Sequence, residues 1–332
     1  MKTTVVGSYP VPVWLQALPT PDSLVDAVTV AIKAQELAGI DLISDGEIGR
    51  WDLERNAPGG MVERFVRPMA GVSCELTKRQ LDAFYAKSNT KYRKAPPGVV
   101  TGPVGSGTLN LRAEWDRVRA LTTAPLKFTL TSPYMMAKVV IDDHYNDLEA
   151  LAMAFAATLA EQVVGIDAQA IQIDEPTLPG FPHESEIAAR ATNLVLDALE
   201  SAGKAVHLCF GNYGGQMIQH GEYDKLITYF NMLRCDHLVL ETTRRPKSEL
   251  GWLREVEKPK RFGFGVIDVK DLQIESPAQV ASRLEELAGL FGAERIAYAN
   301  PDCGLQHLPR GSANGKLRSL VAGRDLFAGK SA

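Results

Sequence analysis

Short apolar runs rich in β-branched residues alternate along this chain with longer stretches in which apolar positions recur three and four apart. The short runs are TTVVGS (3–8), DLISD (41–45), GVVTGP (98–103), LKFTLTS (126–132), AIQIDE (170–175), AVHLCF (205–210), HLVLET (237–242), FGFGVID (262–268) and IAYAN (296–300). Several are apolar at consecutive positions, as expected of strands covered on both faces. Between them lie helical patterns. The stretch at 22–39 opens on Asp22 as an N-cap and closes on Gly39, and the stretch at 277–291 has Ser276 as cap with Pro277 behind it. Repeated strand–helix units predict a parallel sheet, and the fold class expected is an α/β (β/α)8 TIM barrel.

Nine strand-like runs are one more than such a barrel holds. The surplus run is 98–103, which follows the loop-like KYRKAPPG and reads as part of a hairpin extension. The segment from about 48 to 96 is the least periodic and reads as an insertion after the second strand, covering one end of the barrel. No Gly/Ser linker or low-complexity tract divides the chain, so a single domain over residues 1–332 is expected.

Composition narrows the function classes. A hydrophobic content of 45% and a charged content of 23% are those of a globular domain, and a net charge of −4 without a Lys/Arg block argues against nucleic acid. No run is long enough to span a membrane, and the N-terminus lacks a signal-peptide core, so the cytoplasm is the expected compartment. Four scattered cysteines do not make a disulfide framework.

Two of those cysteines stand where chemistry is expected. His207 and Cys209 in VHLCFG, Glu241 in LVLET and Cys303 in NPDCG each sit at or just past a strand end. Residues i and i+2 of a strand point the same way, so His207 and Cys209 can face one site. Two thiols, an imidazole and a carboxylate suit one tetrahedral zinc ion, Zn2+. The competing view is that these are unrelated buried side chains, since buried cysteine is common. Cys74, Cys235 and His237 lie away from the expected barrel mouth and read as ordinary thiols and a structural histidine.

Read in order, GSYP (7–10), DGE (45–47), IQIDEP (171–176), VHLCFG, LVLET, GVID (265–268) and NPDCGL resemble the catalytic barrel of the cobalamin-independent methionine synthase family. The resemblance runs from about residue 3 to 310 and is carried most specifically by NPDCGL. It implies a zinc-dependent transfer of a methyl group to a small thiol, homocysteine giving methionine, with zinc on His207, Cys209, Glu241 and Cys303. It places the substrate's amino group on Glu47 and Asp174 and its carboxylate on Gly7 and Ser8. Glu175, beside Asp174, is kept with the substrate residues or as a brace for the loop. Physical chemistry agrees with the metal's part: a free thiol is mostly protonated at neutral pH, and coordination deprotonates it.

Departures from the family pattern bear on the donor. Long members carry a further N-terminal barrel that helps build the folate site, and this sequence starts at the catalytic one. Where such members have a Trp for the pterin ring, LTSPYMMAKVV (130–140) has none, with Val139 near that position. Where they have a His after GVID, this chain has Lys270, a poor acid at neutral pH and better as a fixed positive charge. Together these departures weaken methyltetrahydrofolate as the donor and point to a degraded folate site, so the donor expected is a folate or a methyl-corrinoid protein. The alternative expectation is a zinc-dependent alkyltransferase or lyase acting on another thiol, of the epoxide or coenzyme M type. A third is a metal-free barrel related to uroporphyrinogen decarboxylase, or a non-catalytic binding module.

Overall fold

The computed structural model describes residues 1–86, 93–200, 203–212 and 214–330. Part of the expected insertion and the last two residues of the C-terminal tail lie outside the described residues. Twelve strands occur among those described: β1 (Lys2–Thr3), β2 (Trp51–Asp52), β3 (Ala57–Pro58), β4 (Ala70–Ser73), β5 (Val99–Gly105), β6 (Lys127–Thr131), β7 (Ile141–Asp142), β8 (Ala170–Asp174), β9 (Gly203–Leu208), β10 (His237–Leu240), β11 (Arg261–Ile267) and β12 (Ile296–Pro301).

Seven of them form one parallel sheet in the order β1-β12-β11-β10-β9-β8-β6. The sheet curls until both edges meet residues 42–43, through parallel bridges Thr4–Leu42 and Ile43–Leu126. Leu42 N donates to Thr3 O at 3.1 Å, and Lys127 N donates to Ile43 O at 2.9 Å. DLISD therefore takes the position of a strand but pairs too briefly to be one. The fold is α/β with a curled parallel sheet.

Helices follow the strands and cover the outer face. The helix Pro21–Ala38 begins two residues earlier than an Asp22 cap implied. Its cap is Thr20, whose side chain accepts from Ser23 N, because Pro21 takes the first helical position and leaves Asp22 in the first turn. Gly39 ends it in the left-handed conformation at φ 80°. Ser276 and Gln279 form a full capping box on the helix Pro277–Phe291. No helix among the described residues is long and apolar enough to cross a membrane.

The period-two alternation of β8 shows how the sheet serves a site. Ile171 and Ile173 are fully buried in the apolar core, while Gln172 and Asp174 project from the opposite face. Gln172 donates to Val6 O at 2.8 Å and to Asp174 Oδ1 at 2.7 Å, so a polar layer lies inside the curl.

The run at 98–103 falls outside this sheet. It forms β5, antiparallel to β4 and parallel to β7. With the hairpin β2–β3 and the short helix Glu63–Val66, this region folds beside the strand ends.

Candidate metal and substrate site

His207 lies on β9 beside Val239 of β10, and its Nδ1 is 2.9 Å from Val239 O. That contact fixes the ring and turns Nε2 the other way, where it is buried without a hydrogen-bond partner. Cys209 follows one residue past the end of β9, and Cys303 sits in the turn after β12. The two Sγ atoms are 3.5 Å apart, and the ligand atoms of His207, Cys209 and Cys303 all lie within 4.8 Å of one another. Two thiolates on a tetrahedral zinc with bonds of about 2.3 Å stand about 3.7 Å apart. An orphaned imidazole nitrogen and two soft sulfur donors at that separation fit zinc.

The two thiols are unequal. The sulfur–sulfur contact with Cys209 holds Cys303 well below the ordinary thiol range, with His207 reinforcing it. The same contact, together with burial, pushes Cys209 well above that range. Burial opposes a charged His207, but the Cys303 contact and charge outweigh it and leave the imidazole raised.

Glu241, expected as the fourth ligand, has its carboxylate hydrogen-bonded beside the cluster. Its carboxylate stands near Cys209 but outside the three-residue cluster. Oε1 accepts from Lys270 Nζ at 2.5 Å and Oε2 from Phe210 N at 3.3 Å, so both oxygens are engaged. Its partner Lys270 is a buried cation. Lys270 is also absent from the lining of the adjoining cavity.

Glu47 is built by a tight turn. Gly46 at φ 71° and Glu47 at φ 56° are both left-handed, and the Glu47 amide donates to Asp45 Oδ1 at 2.9 Å. A glutamate in that conformation is strained, and such strain collects at functional sites. Its Oε1 accepts from Thr129 Oγ1 at 2.8 Å, and its Oε2 pairs with Arg50 at 3.0 Å. The Arg50 partner does not draw Glu47 to the surface: both residues, with Asp174, line one cavity of about 1520 Å³ that also reaches His207, Cys209 and Cys303. Burial, followed by the charge of Glu47, pushes Asp174 up to about 7.

The glycine motifs make room for this. A Cβ on Gly7 would strike the Glu47 carboxylate, and one on Gly304 would strike Ser8 Oγ. Ser8 lines the cavity, and its carbonyl accepts from Leu305 N at 2.8 Å, which ties GSYP to NPDCGL. Glu175 goes elsewhere. Its Oε1 accepts from Thr177 N at 2.7 Å and Leu178 N at 2.9 Å, so it braces the loop and does not line the cavity.

Sequence reasoning passed over Asp302 and gave Arg50 no part beyond a surface pairing with Glu47, yet both hold the site together. Asp302, adjacent to Cys303, accepts from Thr242 N at 2.8 Å and Thr243 N at 3.1 Å, and so binds the turn after β12 to the end of β10. Arg50 Nη2 also donates to Thr129 O at 2.9 Å, and its guanidinium lies over the Phe65 ring. Adjacency to DGE and NPDC was the available signal for both. Of 130–140 only Met135 lines the cavity, whereas Trp14 and Trp51 line it from other segments. Val139 is buried in the core.

The model of the family described as cobalamin-independent synthase, catalytic domain, matches residues 1–324, and the chain belongs to that family. It is 31% identical to a methionine synthase of Sulfurisphaera tokodaii, covering 98% of this chain and 92% of that one. It is 29% identical to a methionine synthase of Thermococcus kodakarensis, covering 98% and 93%. A solved B12-independent methionine synthase from Shewanella sp. W3-18-1, in complex with selenomethionine, superposes with a TM-score of 0.80 at 25% identity, covering 99% and 98%. The family is by its description cobalamin-independent, and the corrinoid-protein donor gains no support from it.

Proposed function

We propose that this protein is a zinc-dependent methyltransferase that makes methionine from homocysteine. The observation that carries the reading is the cluster of His207, Cys209 and Cys303, with its orphaned Nε2, opening on the cavity that holds Glu47 and Asp174. The methionine synthase relatives and the selenomethionine complex of the Shewanella protein support the same substrate class.

His207, Cys209 and Cys303 would hold zinc, which when bound supplies the Lewis acidity that makes a substrate thiol nucleophilic at neutral pH. Glu47 and Asp174 receive the substrate's ammonium, and Ser8 with the Gly7–Ser8 backbone receives its carboxylate. Arg50 and Thr129 keep Glu47 in place, and Gln172 keeps Asp174 in place. Holding the amino acid at one end aims its sulfur at the metal cluster, so orientation supplies much of the rate. The cavity is far larger than homocysteine needs, and the surplus accommodates a methyl donor of folate size, with Trp14 and Trp51 as flat surfaces for it. The paired carboxylates favour an amino-acid thiol over a sulfonate thiol, and Lys270 is turned away from the cavity lining.

The whole is read as one domain over residues 1–332 and a complete (β/α)8 barrel with an insertion at about 48–96. The bridges at residues 42–43 support closure, and one apolar core draws residues from both halves of the chain. The test is a metal assay and a coupled methionine assay with homocysteine and a methyltetrahydrofolate. One zinc per chain with methionine formed is expected. Zinc-loaded protein that never binds homocysteine overturns the substrate assignment.

A further inference from the structure

Among the described residues, Lys127 is a buried lysine that pairs with no carboxylate. It lies on β6, 3% exposed, on the same face of the strand as Thr129, whose hydroxyl donates to Glu47 Oε1. Its side chain crosses to β8, where Nζ donates to Gln172 Oε1 at 2.7 Å. The other end of that amide is committed too: Nε2 donates to Asp174 Oδ1 at 2.7 Å and to Val6 O at 2.8 Å. A donor at Oε1 and acceptors at Nε2 admit one orientation of the amide. Ammonium, amide and carboxylate thus form one relay, of which Asp174 lines the cavity while Lys127 and Gln172 do not.

An ammonium buried without a partner is costly unless nearby charge offsets it. Burial pulls the Lys127 ammonium down, and the charges of Asp174 and then Glu47 hold it up. His237 on β10 offers no such charge: burial, with Lys127 and Arg261 adding to it, pushes that imidazole down to about 3 and keeps it neutral. The counter-charge of Lys127 is therefore the pair of carboxylates at the cavity wall.

We propose that Lys127 is a positioning residue for the amino-group subsite: from behind the cavity it fixes the Gln172 amide, so that Asp174 keeps one oxygen on Gln172 and offers the other to the substrate, and it balances the charges of Asp174 and Glu47 while the cavity is empty. This rests on the reading of Glu47 and Asp174 as holders of the substrate's ammonium. Two carboxylates sharing one site repel each other, and a fixed cation behind them opposes their turning apart. A holder already in place costs less to organise on binding, so the benefit falls on affinity for the amine and not on the chemistry at sulfur.

The experiment is titration calorimetry at constant pH of zinc-loaded wild type, Lys127→Met, Asp174→Asn and the double variant, each with L-homocysteine and with its des-amino analogue 4-mercaptobutanoate. Lys127→Met is expected to weaken homocysteine at least ~10-fold and the des-amino thiol by less than about threefold, with zinc content intact. In the Asp174→Asn background the same change is expected to cost less than about threefold, because the relay then has no carboxylate to hold. Gln172→Met, which breaks the relay in its middle, is expected to reproduce the loss confined to the amine, and this arm stands if Lys127→Met fails to fold. A lysine that only supported the fold would weaken both thiols alike.

A smaller loss of homocysteine in Lys127→Met overturns the proposal, as does an equal loss of both thiols or a loss that persists in full beside Asp174→Asn. Wild type that binds the two thiols equally removes the amino-group reading and this inference together. A wild-type preference for homocysteine that Lys127→Met retains removes the inference alone.

Discussion

The strand ends of β8, β9 and β12 and the segment between residues 48 and 96 line one cavity by different means. On the first wall, Asp174, His207, Cys209 and Cys303 lie at or just past the ends of parallel strands, and the directions of Asp174 and His207 follow from strand parity and register. Asp174 pairs in register with His207, and His207 with Val239. On the second wall, short pieces are held by side chains: Arg50 reaches Thr129, and Phe65 packs beneath the Arg50 guanidinium. A wall built on strands fixes chemistry rigidly, whereas a wall of irregular pieces tolerates change in what it recognises. The His207, Cys209 and Cys303 cluster and Asp174 belong to the first kind, and Trp51 to the second.

The largest effect should come from removing a sulfur on the rigid wall. Cys303→Ala is expected to lose stoichiometric zinc and to drop methionine formation by at least ~10³-fold, as read by metal analysis and a product assay. Full activity in that variant would dissolve the distinction between the walls.

Next is the amino-acid holder. Glu47→Gln and Asp174→Asn should each weaken homocysteine about ten- to a hundredfold with zinc content intact, because a charge-assisted contact to a buried ammonium is lost. Equal losses of zinc and thiol affinity would place these residues in the metal site instead. The pH dependence has a definite sign. Asp174 is raised to about 7 by burial and by Glu47, and its carboxylate form is the one that binds ammonium. Homocysteine affinity should therefore rise as pH climbs through about 7, and Asp174→Asn should flatten that limb. Affinity falling across the same range would contradict the assignment.

A smaller effect is expected at Gly304. Its Cβ would meet Ser8 Oγ, so Gly304→Ala should displace the serine and raise the KM for homocysteine about three- to tenfold with little change in kcat. The smallest belongs to the irregular wall. Trp51→Ala should weaken the donor by about 1–2 kcal/mol, measured as donor KM, while leaving homocysteine titrations unchanged. A loss of thiol affinity in that variant would show that the walls are not separable.

The same contrast governs what could be read from sequence. Continuous apolar runs marked β6 and β8 to β12 within a residue or two, because buried parallel strands leave that pattern. HxC brought His207 and Cys209 together, and NPDCG supplied Cys303. Residues 42–43 showed a strand-like run whose pairing is too short to count as one, since pairing depends on the neighbours' register and not on local propensity. Asp22 looked like a cap because it opens the periodic stretch, yet Pro21 moves the helix start back and gives the role to Thr20. Glu241 read as a ligand from its place at a strand end. Its partner Lys270 arrives from the loop after β11, and no local pattern announces such a pairing. The segment after residue 48 has neither period, so its share in the cavity was legible only as surplus length.

Titration calorimetry of the zinc-loaded protein with L-homocysteine, beside 4-mercaptobutanoate, which keeps the thiol and carboxylate but lacks the amine, tests the central claim most directly. The account predicts tight homocysteine binding with proton release from the thiol, and binding of the des-amino compound at least ~10-fold weaker for want of the Glu47 and Asp174 contacts. Absent homocysteine binding at one zinc per chain, or equal affinity for the two thiols, would contradict it.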